Sequence, residues 1–349
     1  KRAYILDALR AIGRPPVGLT RRSKKVERHN LNLLTMNKKG YLTRLVSFLK
    51  DQYTLLILGS ILSSSFLINL KNLGHKSITL YDELFHALVA KNLLKHFFKF
   101  TLYDQPFLAY NFKHWGQNHI WLHKPPLAMW QIAISYYILG VNTFALRLPS
   151  AILAIGACFF TYLIGKELFN KHVAVIASFL QAFNPFILEL VHGYRFSDHI
   201  DIALLFWVEI SCYLLIKAIK TNQNRYYFLS GTFSGLAYLA KSFLGFVTIG
   251  IAIVFWVLTT LDWSKDYNIG IKKIIIHIGS SLIVISPWVI YCLILYPREY
   301  LYETKMVLAH LNTNIEGWQA SWDRHLFDYM SLIYPIIYVG ILVSFVYII

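Results

Sequence analysis

The chain has 349 residues, of which 56% are hydrophobic and only 15% are charged, and its formal net charge is +16. This composition excludes an ordinary soluble domain and predicts a protein whose main solvent is lipid. In such a protein the excess of Lys and Arg is typical of loops retained on the cytoplasmic face, so we expect no nucleic-acid binding.

Residues 1–50 are rich in Lys and Arg and show no apolar period, which predicts a solvated basic tail on the cytoplasmic side. Met36 is a candidate chain start, which would leave residues 1–35 outside the native protein. Residues 51–349 are predicted to form a single transmembrane domain. Its last apolar run has no closing charge, so we expect the native protein to continue beyond it.

Eight apolar stretches come close to the length of about 17 to 25 residues that crossing a bilayer requires. They cover residues 53–70, 148–165, 172–191, 201–219, 226–240, 242–261, 274–296 and 331–349. A further run, 126–139, is shorter and is typical of an interfacial or re-entrant helix.

The distribution of Lys and Arg favours a helix at residues 126–139 that lies along the membrane surface. If this run lies along the membrane, the lysine-rich short connections all fall on one side, whereas Arg195 and Lys241 each stand alone on the other, as the positive-inside rule requires. If it crossed, every later loop would break the rule. We therefore predict an all-α polytopic membrane protein with about eight transmembrane helices and two or three interfacial helices in the first extracytoplasmic loop.

That first loop carries an unusual number of polar groups. It opens with Tyr81, Asp82 and Glu83 and closes with His123 and Lys124. Asp82 precedes an amphipathic helical pattern, so its carboxylate is either a helix cap or a general base that takes a proton from an attacking hydroxyl. The topology puts this loop at the extracytoplasmic face, and we interpret it as half of an active site.

A second acidic group lies at the predicted entrance to a later span, where Asp198, His199 and Asp201 follow one another closely. A carboxylate at the lip of a membrane helix is costly unless it has a partner or a function. His199 and Asp201 are potential ligands of a divalent metal ion, although two ligands at this spacing are weak evidence for a metal site. No cofactor is otherwise indicated.

Lys241 interrupts about thirty apolar residues, 228–258. It is either a snorkelling lysine that ends one span or a ligand for a phosphate group, and its position opposite the other loop lysines favours the phosphate. Lys124 is interpreted in the same way, because Pro125 and Pro126 fix its backbone and start the flat helix. Arg147 falls on the same face.

Several short motifs occur in order along residues 50–300. They are Asp82-Glu83, Lys124-Pro125-Pro126-Leu127, Leu139-Gly140, Arg147-Leu148-Pro149-Ser150-Ala151, Asp201 with Leu204-Leu205-Phe206, Gly235-Leu236-Ala237-Tyr238-Leu239-Ala240-Lys241 and Pro287-Trp288. Together they resemble the membrane glycosyltransferases of the protein O-mannosyltransferase and aminoarabinose (lipid A) transferase type.

The resemblance implies a GT-C fold and transfer of a sugar from a polyprenyl-phosphate carrier to an acceptor outside the cytoplasm. It assigns the family's first-loop acid to Asp82, its second-loop acid to Asp201 and its phosphate-binding lysine to Lys241. Two positions depart from the pattern, since His123 stands where aminoarabinose enzymes often have Glu, and Ser242 stands where Gly follows the lysine.

The working hypothesis is an inverting transfer in which Asp82, or less favourably Glu83, is the base. In this hypothesis Lys241, with Arg147 or Lys124, stabilises the departing lipid phosphate, and Asp201 orients Lys241 or the acceptor. Further candidate site residues are His123, Asp198, His199 and Tyr81. The acceptor is a glycan, a lipid or a protein. The alternative function is a secondary transporter or lipid flippase that uses the same charged residues.

The predicted location follows from the topology and from the short loops. We expect an integral protein of the bacterial inner membrane whose active site faces the periplasm or the exterior. In a eukaryotic cell the same arrangement would lie in the endoplasmic reticulum.

Overall fold

The computed structural model describes residues 52–114, 117–194, 199–261 and 269–309. The chain divides into an N-terminal unit, residues 1–57, of which only the start of the first helix is described, and a second unit, residues 58–349, which contains all of the candidate site residues. Of the predicted residues, Asp198 lies outside the described ranges, as do Arg195, the basic tail and the last predicted span.

The described residues form helices and no β-strands apart from one isolated bridge, Thr101 to Ile120, which confirms the all-α class. The helices are α1 (Gln52–Leu70), α2 (Asp82–Leu93), α3 (Pro126–Leu139), α4 (Thr143–Leu168), α5 (Lys171–Ala182), α6 (Pro185–Val191), α7 (His199–Thr221), α8 (Asn224–Lys241), α9 (Val247–Thr260), α10 (Ile271–Leu295) and α11 (Pro297–Ala309).

Within these ranges five helical segments are long and apolar enough to cross a membrane: 52–70, 143–168, 199–221, 224–260 and 271–295. A sixth is formed if α5 and α6, which meet at a bend of 46°, make one broken span. Pro185 begins α6 directly after the bend, where the missing N–H of proline is tolerated. The count of about eight spans remains a prediction.

The segment 224–260 reverses direction at Ser242, whose backbone φ is +57°. A 3₁₀ turn, Ser242–Phe246, follows and folds back on α8, where the Ser234 hydroxyl donates a hydrogen bond to the Gly245 carbonyl at 2.9 Å. In addition, Tyr227 of α8 and Ala252 of α9 belong to one buried cluster. The segment is therefore two antiparallel helices, in agreement with the two separate apolar runs in the sequence.

Helix α8 packs most extensively against α7 and α10. Gly231 and Gly235 allow the close approach to α10, because a Cβ atom at Gly231 would lie 2.0 Å from the His277 carbonyl oxygen. On the other side the Ser211 hydroxyl of α7 donates to the Ser230 carbonyl at 2.8 Å. Small residues and interhelical hydrogen bonds are the usual means of helix association in lipid. They fix Lys241, at the end of α8, relative to the start of α7.

Helix α3 has the bounds predicted from the sequence and packs between α2 and α4. Its residues Ala128, Met129 and Ile132 are fully buried in the largest hydrophobic cluster, whereas Tyr137 and Ile138 are exposed. Pro126 is its first residue, so the end of the helix nearest Lys124 is fixed by the two prolines. Its orientation along the membrane remains a prediction.

Candidate active site

Lys241 and Asp201 form an ion pair at the adjoining ends of two antiparallel helices. Lys241 is the last residue of α8, and Asp201 is in the first turn of α7. The Lys241 ammonium group donates a hydrogen bond to the Asp201 carboxylate, and both side chains are partly exposed. An isolated charge near a membrane helix end needs a partner or water, and here the two charges compensate each other at one end of the bundle.

Lys124 lies in the same region. Its side chain is partly buried, and it makes no hydrogen bond or ion pair with another residue of the described ranges. The imidazole of His86, in α2, is buried, and burial lowers its pKa well below the ordinary value. Neighbouring positive charges lower the pKa further, and they belong to Lys124, His123, His199 and Lys241. Both lysines therefore lie close to one buried ring.

Asp82 is the first residue of α2 and lies one turn from His86 on the same helix face. Its carboxylate is partly buried and makes no hydrogen bond or ion pair within the described part of the chain. No side chain caps α2, so the structure does not show the capping hydrogen bond that was one interpretation of Asp82. Asp82 is thus one helical turn from the buried ring that both lysines influence.

The residue before Asp82 has a strained backbone. Tyr81 has φ +72° and ψ −121°, a conformation that non-glycine residues rarely adopt, and its side chain is exposed. Such outliers persist where the surroundings impose them, and they are concentrated at functional sites. The turn at Tyr81 sets the direction in which α2 begins and hence the position of Asp82.

Glu83 and Arg147 form a buried ion pair. The Arg147 Nε donates to Glu83 Oε1 at 2.7 Å, and Nη2 donates to Glu83 Oε2 at 3.1 Å. The remaining contacts are with the carbonyl oxygens of Leu73 and Lys76, from Nη1, and of Ser77, from Nη2, at 3.1–3.2 Å.

These contacts engage all three nitrogen atoms of the Arg147 guanidinium group, with five contacts for its five N–H groups. Glu83 is equally occupied, since its Oε2 also accepts the Thr79 backbone N–H at 2.6 Å. The geometry gives the pair a structural role, in which it fastens the start of α2 to α4. In the proposed site, Arg147 is therefore not a phosphate ligand, and Glu83 is not the base.

His199 is held by two neutral partners. Its Nδ1 is 2.6 Å from the Ser150 hydroxyl, and its Nε2 is 3.1 Å from Gln131 Oε1. Asp201 is bound to Lys241 instead. In the described ranges no group of three or more His, Cys, Asp or Glu side chains could hold a metal ion. His199 and Asp201 are thus held by different partners.

His123 contacts a residue that the sequence analysis did not single out. Its Nδ1 is 3.1 Å from Oε2 of Glu303, and the exposed fractions of the two side chains are 11% and 9%. Glu303 belongs to α11. It is the one buried residue of that helix, and a buried charged residue requires a partner.

Comparison with known proteins bears on the same residues. Residues 123–291 match the model of the family described as dolichyl-phosphate-mannose-protein mannosyltransferase. This range includes Lys124, Asp201 and Lys241, and it begins after Asp82.

The chain is similar to three curated proteins of bacterial origin. An uncharacterized protein of Aquifex aeolicus is 27% identical over 66% of this chain and 42% of its own length. The putative mannosyltransferase YkcB of Bacillus subtilis is 26% identical over 48% of this chain and 22% of its own. An undecaprenyl phosphate-α-4-amino-4-deoxy-L-arabinose arabinosyl transferase of Pseudomonas aeruginosa is 24% identical over 48% and 30%. The chain thus spans less than half the length of each relative.

Among solved structures, ArnT from Cupriavidus metallidurans matches 70% of this chain and 43% of its own length, with a TM-score of 0.56 and 15% identity. A second crystal structure of that protein, bound to undecaprenyl phosphate, matches with the same TM-score. At this identity the likeness establishes the fold, and the predicted GT-C architecture is confirmed.

Proposed function

We propose that this chain, a member of the GT-C membrane glycosyltransferases of the protein O-mannosyltransferase and aminoarabinose transferase type, transfers a sugar from a polyprenyl-phosphate carrier to an acceptor hydroxyl group. The observation that carries the proposal is the convergence of Lys124 and Lys241 around His86, with Asp82 one helical turn away. Two cations and a carboxylate that makes no ion pair within the described ranges are the groups that this reaction requires.

The two lysines are proposed to bind the donor phosphate. A phosphate leaves readily only when its growing negative charge is met by cations or hydrogen-bond donors. Lys124 has no ion-pair partner in the described ranges, and Lys241 can exchange Asp201 for a phosphate oxygen. The relative of Pseudomonas aeruginosa is named for an undecaprenyl phosphate donor, and the ArnT structure contains undecaprenyl phosphate. Both support a lipid-linked donor here.

Asp82 is proposed to activate the acceptor. Its carboxylate takes the proton from the acceptor hydroxyl group, whose oxygen attacks the anomeric carbon of the sugar. The bond between that carbon and the phosphate oxygen breaks, and the electron pair leaves with polyprenyl phosphate. Attack on the face opposite the leaving group inverts the anomeric configuration. Arg147 and Glu83 take no part beyond holding α2 in place.

The proposed site faces the extracytoplasmic side of the membrane, because the positive-inside rule puts the ends of α7 and α8 that carry Asp201 and Lys241 there. In a bacterium this is the outer side of the inner membrane. The acceptor is a hydroxyl-bearing glycan, lipid or protein. The comparisons, which name sugar transferases, do not favour the alternative of a transporter or flippase.

The proposal is tested by incubating the purified protein with a panel of radiolabelled polyprenyl-phosphate sugars and acceptor extracts. We expect free polyprenyl phosphate to be released with one donor, and NMR of the product to show inversion at the anomeric carbon. A retained configuration would exclude direct displacement. Uptake of the labelled lipid by proteoliposomes without cleavage would support transport and overturn the proposal.

A further inference from the structure

Helix α11, Pro297–Ala309, lies against the first extracytoplasmic loop. Its Glu299 accepts a hydrogen bond from the Tyr110 hydroxyl, and the rings of Tyr302 and Phe112 meet edge to face with centroids 5.6 Å apart. The helix is therefore attached to the loop at several points. Two of its other contacts lead directly to the proposed phosphate-binding lysines.

The first contact supports Lys124. Glu303 holds the ring of His123, which is the residue immediately before Lys124. The Trp121 ring meets the same imidazole edge to face at 5.7 Å. On the other side of Lys124, Pro125 has φ −66° and ψ +166°, and Pro126 begins α3. The backbone of Lys124 is thus flanked by an anchored histidine on one side and by two prolines on the other.

The second contact supports Lys241. Tyr300 packs against the hydrophobic cluster that contains Tyr238, and burial together with the neighbouring Tyr238 hydroxyl raises the pKa of Tyr300. Tyr238 is in the last turn of α8, three residues before Lys241, and its ring stacks on Phe246 of the following turn with centroids 5.0 Å apart. The end of α8 thus contacts α11.

Tyr300 and Glu303 are three residues apart on one helix and so lie on the same face. We propose that α11 is a spacer that sets the distance between the Lys124 and Lys241 ammonium groups, with Glu303 and Tyr300 as its two positioning residues. This inference rests on the proposed function, because it assigns the spacing to one lipid phosphate held between the two lysines.

The spacing matters because a monophosphate presents its charge on one compact group. Two ammonium groups bind it together only when both reach its oxygens, and a displacement of about 1 Å can cost on the order of a hundredfold in rate or affinity. A pyrophosphate is longer and tolerates a wider separation. A fixed spacing therefore gives preference for a lipid monophosphate over a pyrophosphate. Loss of a contact that only stabilises the fold would not change this preference.

The test measures the dissociation constants of undecaprenyl phosphate and undecaprenyl pyrophosphate with the purified protein. Glu303→Gln and Tyr300→Phe should each weaken binding of the monophosphate about tenfold or more, with a smaller effect on the pyrophosphate. The matched control is Glu299→Gln, the same chemical change on the same helix, which removes the charge of the group that Tyr110 contacts but alters neither lysine support. It should retain the affinities of the unmodified protein.

A reciprocal exchange guards against simple misfolding. His123→Glu alone puts two acids together and should lose monophosphate binding, whereas His123→Glu combined with Glu303→His restores an acid–imidazole pair and should recover it. Unchanged affinity in Glu303→Gln and Tyr300→Phe, or an equal loss in Glu299→Gln, would overturn the spacer. If the unmodified protein binds neither lipid, the proposed function itself fails.

Discussion

The Lys241 ammonium group binds the Asp201 carboxylate across the adjoining ends of α8 and α7. The pair joins two helices that run in opposite directions, and it holds the lysine at one end of the bundle beside His86 and Lys124. In the proposed function, a lipid phosphate bound by Lys241 would compete with Asp201 for this ammonium group. We therefore propose that Asp201 is a positioning residue for Lys241.

Replacing Asp201 should therefore separate turnover from binding. Asp201→Asn removes a charge that competes with the phosphate, so donor affinity should be unchanged or tighter, while kcat falls about tenfold or more because Lys241 loses its fixed direction. Lys241→Gln should instead weaken donor binding. Steady-state kinetics and lipid binding measure the two effects, and an equal loss of affinity in both variants would contradict this division of roles.

Asp82→Asn should abolish sugar transfer. The amide keeps the shape of the side chain but cannot accept the acceptor's proton, so donor binding and thermal stability should remain close to those of the unmodified protein. A suitable control is Asp104→Asn, because Asp104 is an exposed acid of the same loop that pairs with Lys95. Activity retained by the Asp82 variant would remove this residue from the mechanism.

Arg147→Met should destabilise the fold. It leaves the Glu83 carboxylate buried without its cation and three carbonyl oxygens without their donor, which typically costs about 3–5 kcal/mol. Arg147→Lys should recover only part of the loss, since one ammonium group cannot reproduce the bidentate contact. Thermal unfolding in detergent measures both. A variant with normal stability and a selective loss of donor binding would return Arg147 to the phosphate site.

Ser242→Gly should stabilise the protein. Ser242 has φ +57° and ψ −142°, a conformation that costs a residue with a Cβ atom about 1–3 kcal/mol and that glycine adopts freely. The gain is reduced by about 0.5–1 kcal/mol because glycine makes the unfolded chain more flexible. Ser230→Gly is the control, because that serine is inside α8 and bonds Ser211, and it should lower the melting temperature.

The stability of the fold should decrease as the pH falls below about 6.5, the ordinary pKa of histidine. Burial and neighbouring positive charges put the pKa of folded His86 well below that value, so the unfolded chain binds the proton first. This one group lowers the free energy of unfolding by up to about 1.4 kcal/mol for each pH unit of acidification. His86→Leu should flatten the dependence of melting temperature on pH, whereas His96→Gln, at an exposed position, should leave it unchanged.

Much of the fold follows from apolar patterning. The bounds of α3 were predicted to the residue, and α7, α8 and α10 lie within a few residues of the predicted apolar runs. Long apolar runs specify membrane helices strongly, because no other structure satisfies the backbone in lipid. The sequence indicated the turn at Ser242 only through two adjoining apolar runs, 226–240 and 242–261.

The roles of individual charges were harder to predict. Arg147 and Lys241 look alike in the sequence, since each is a cation beside an apolar run. The first is enclosed by Glu83 and three carbonyl oxygens, and the second is left at an accessible helix end. Glu303 was missed because its partner, His123, is 180 residues away in the chain.

The sequence by itself determined that this is a helical membrane protein with a polar first loop and acids and lysines at one face. Only the tertiary structure decided which charges compensate each other and which remain available to a ligand. The physical reason is that hydrophobicity acts on each segment independently, whereas an ion pair depends on a distance between segments. That distance is fixed by packing, here by the glycines of α8 and by the attachment of α11 to the loop.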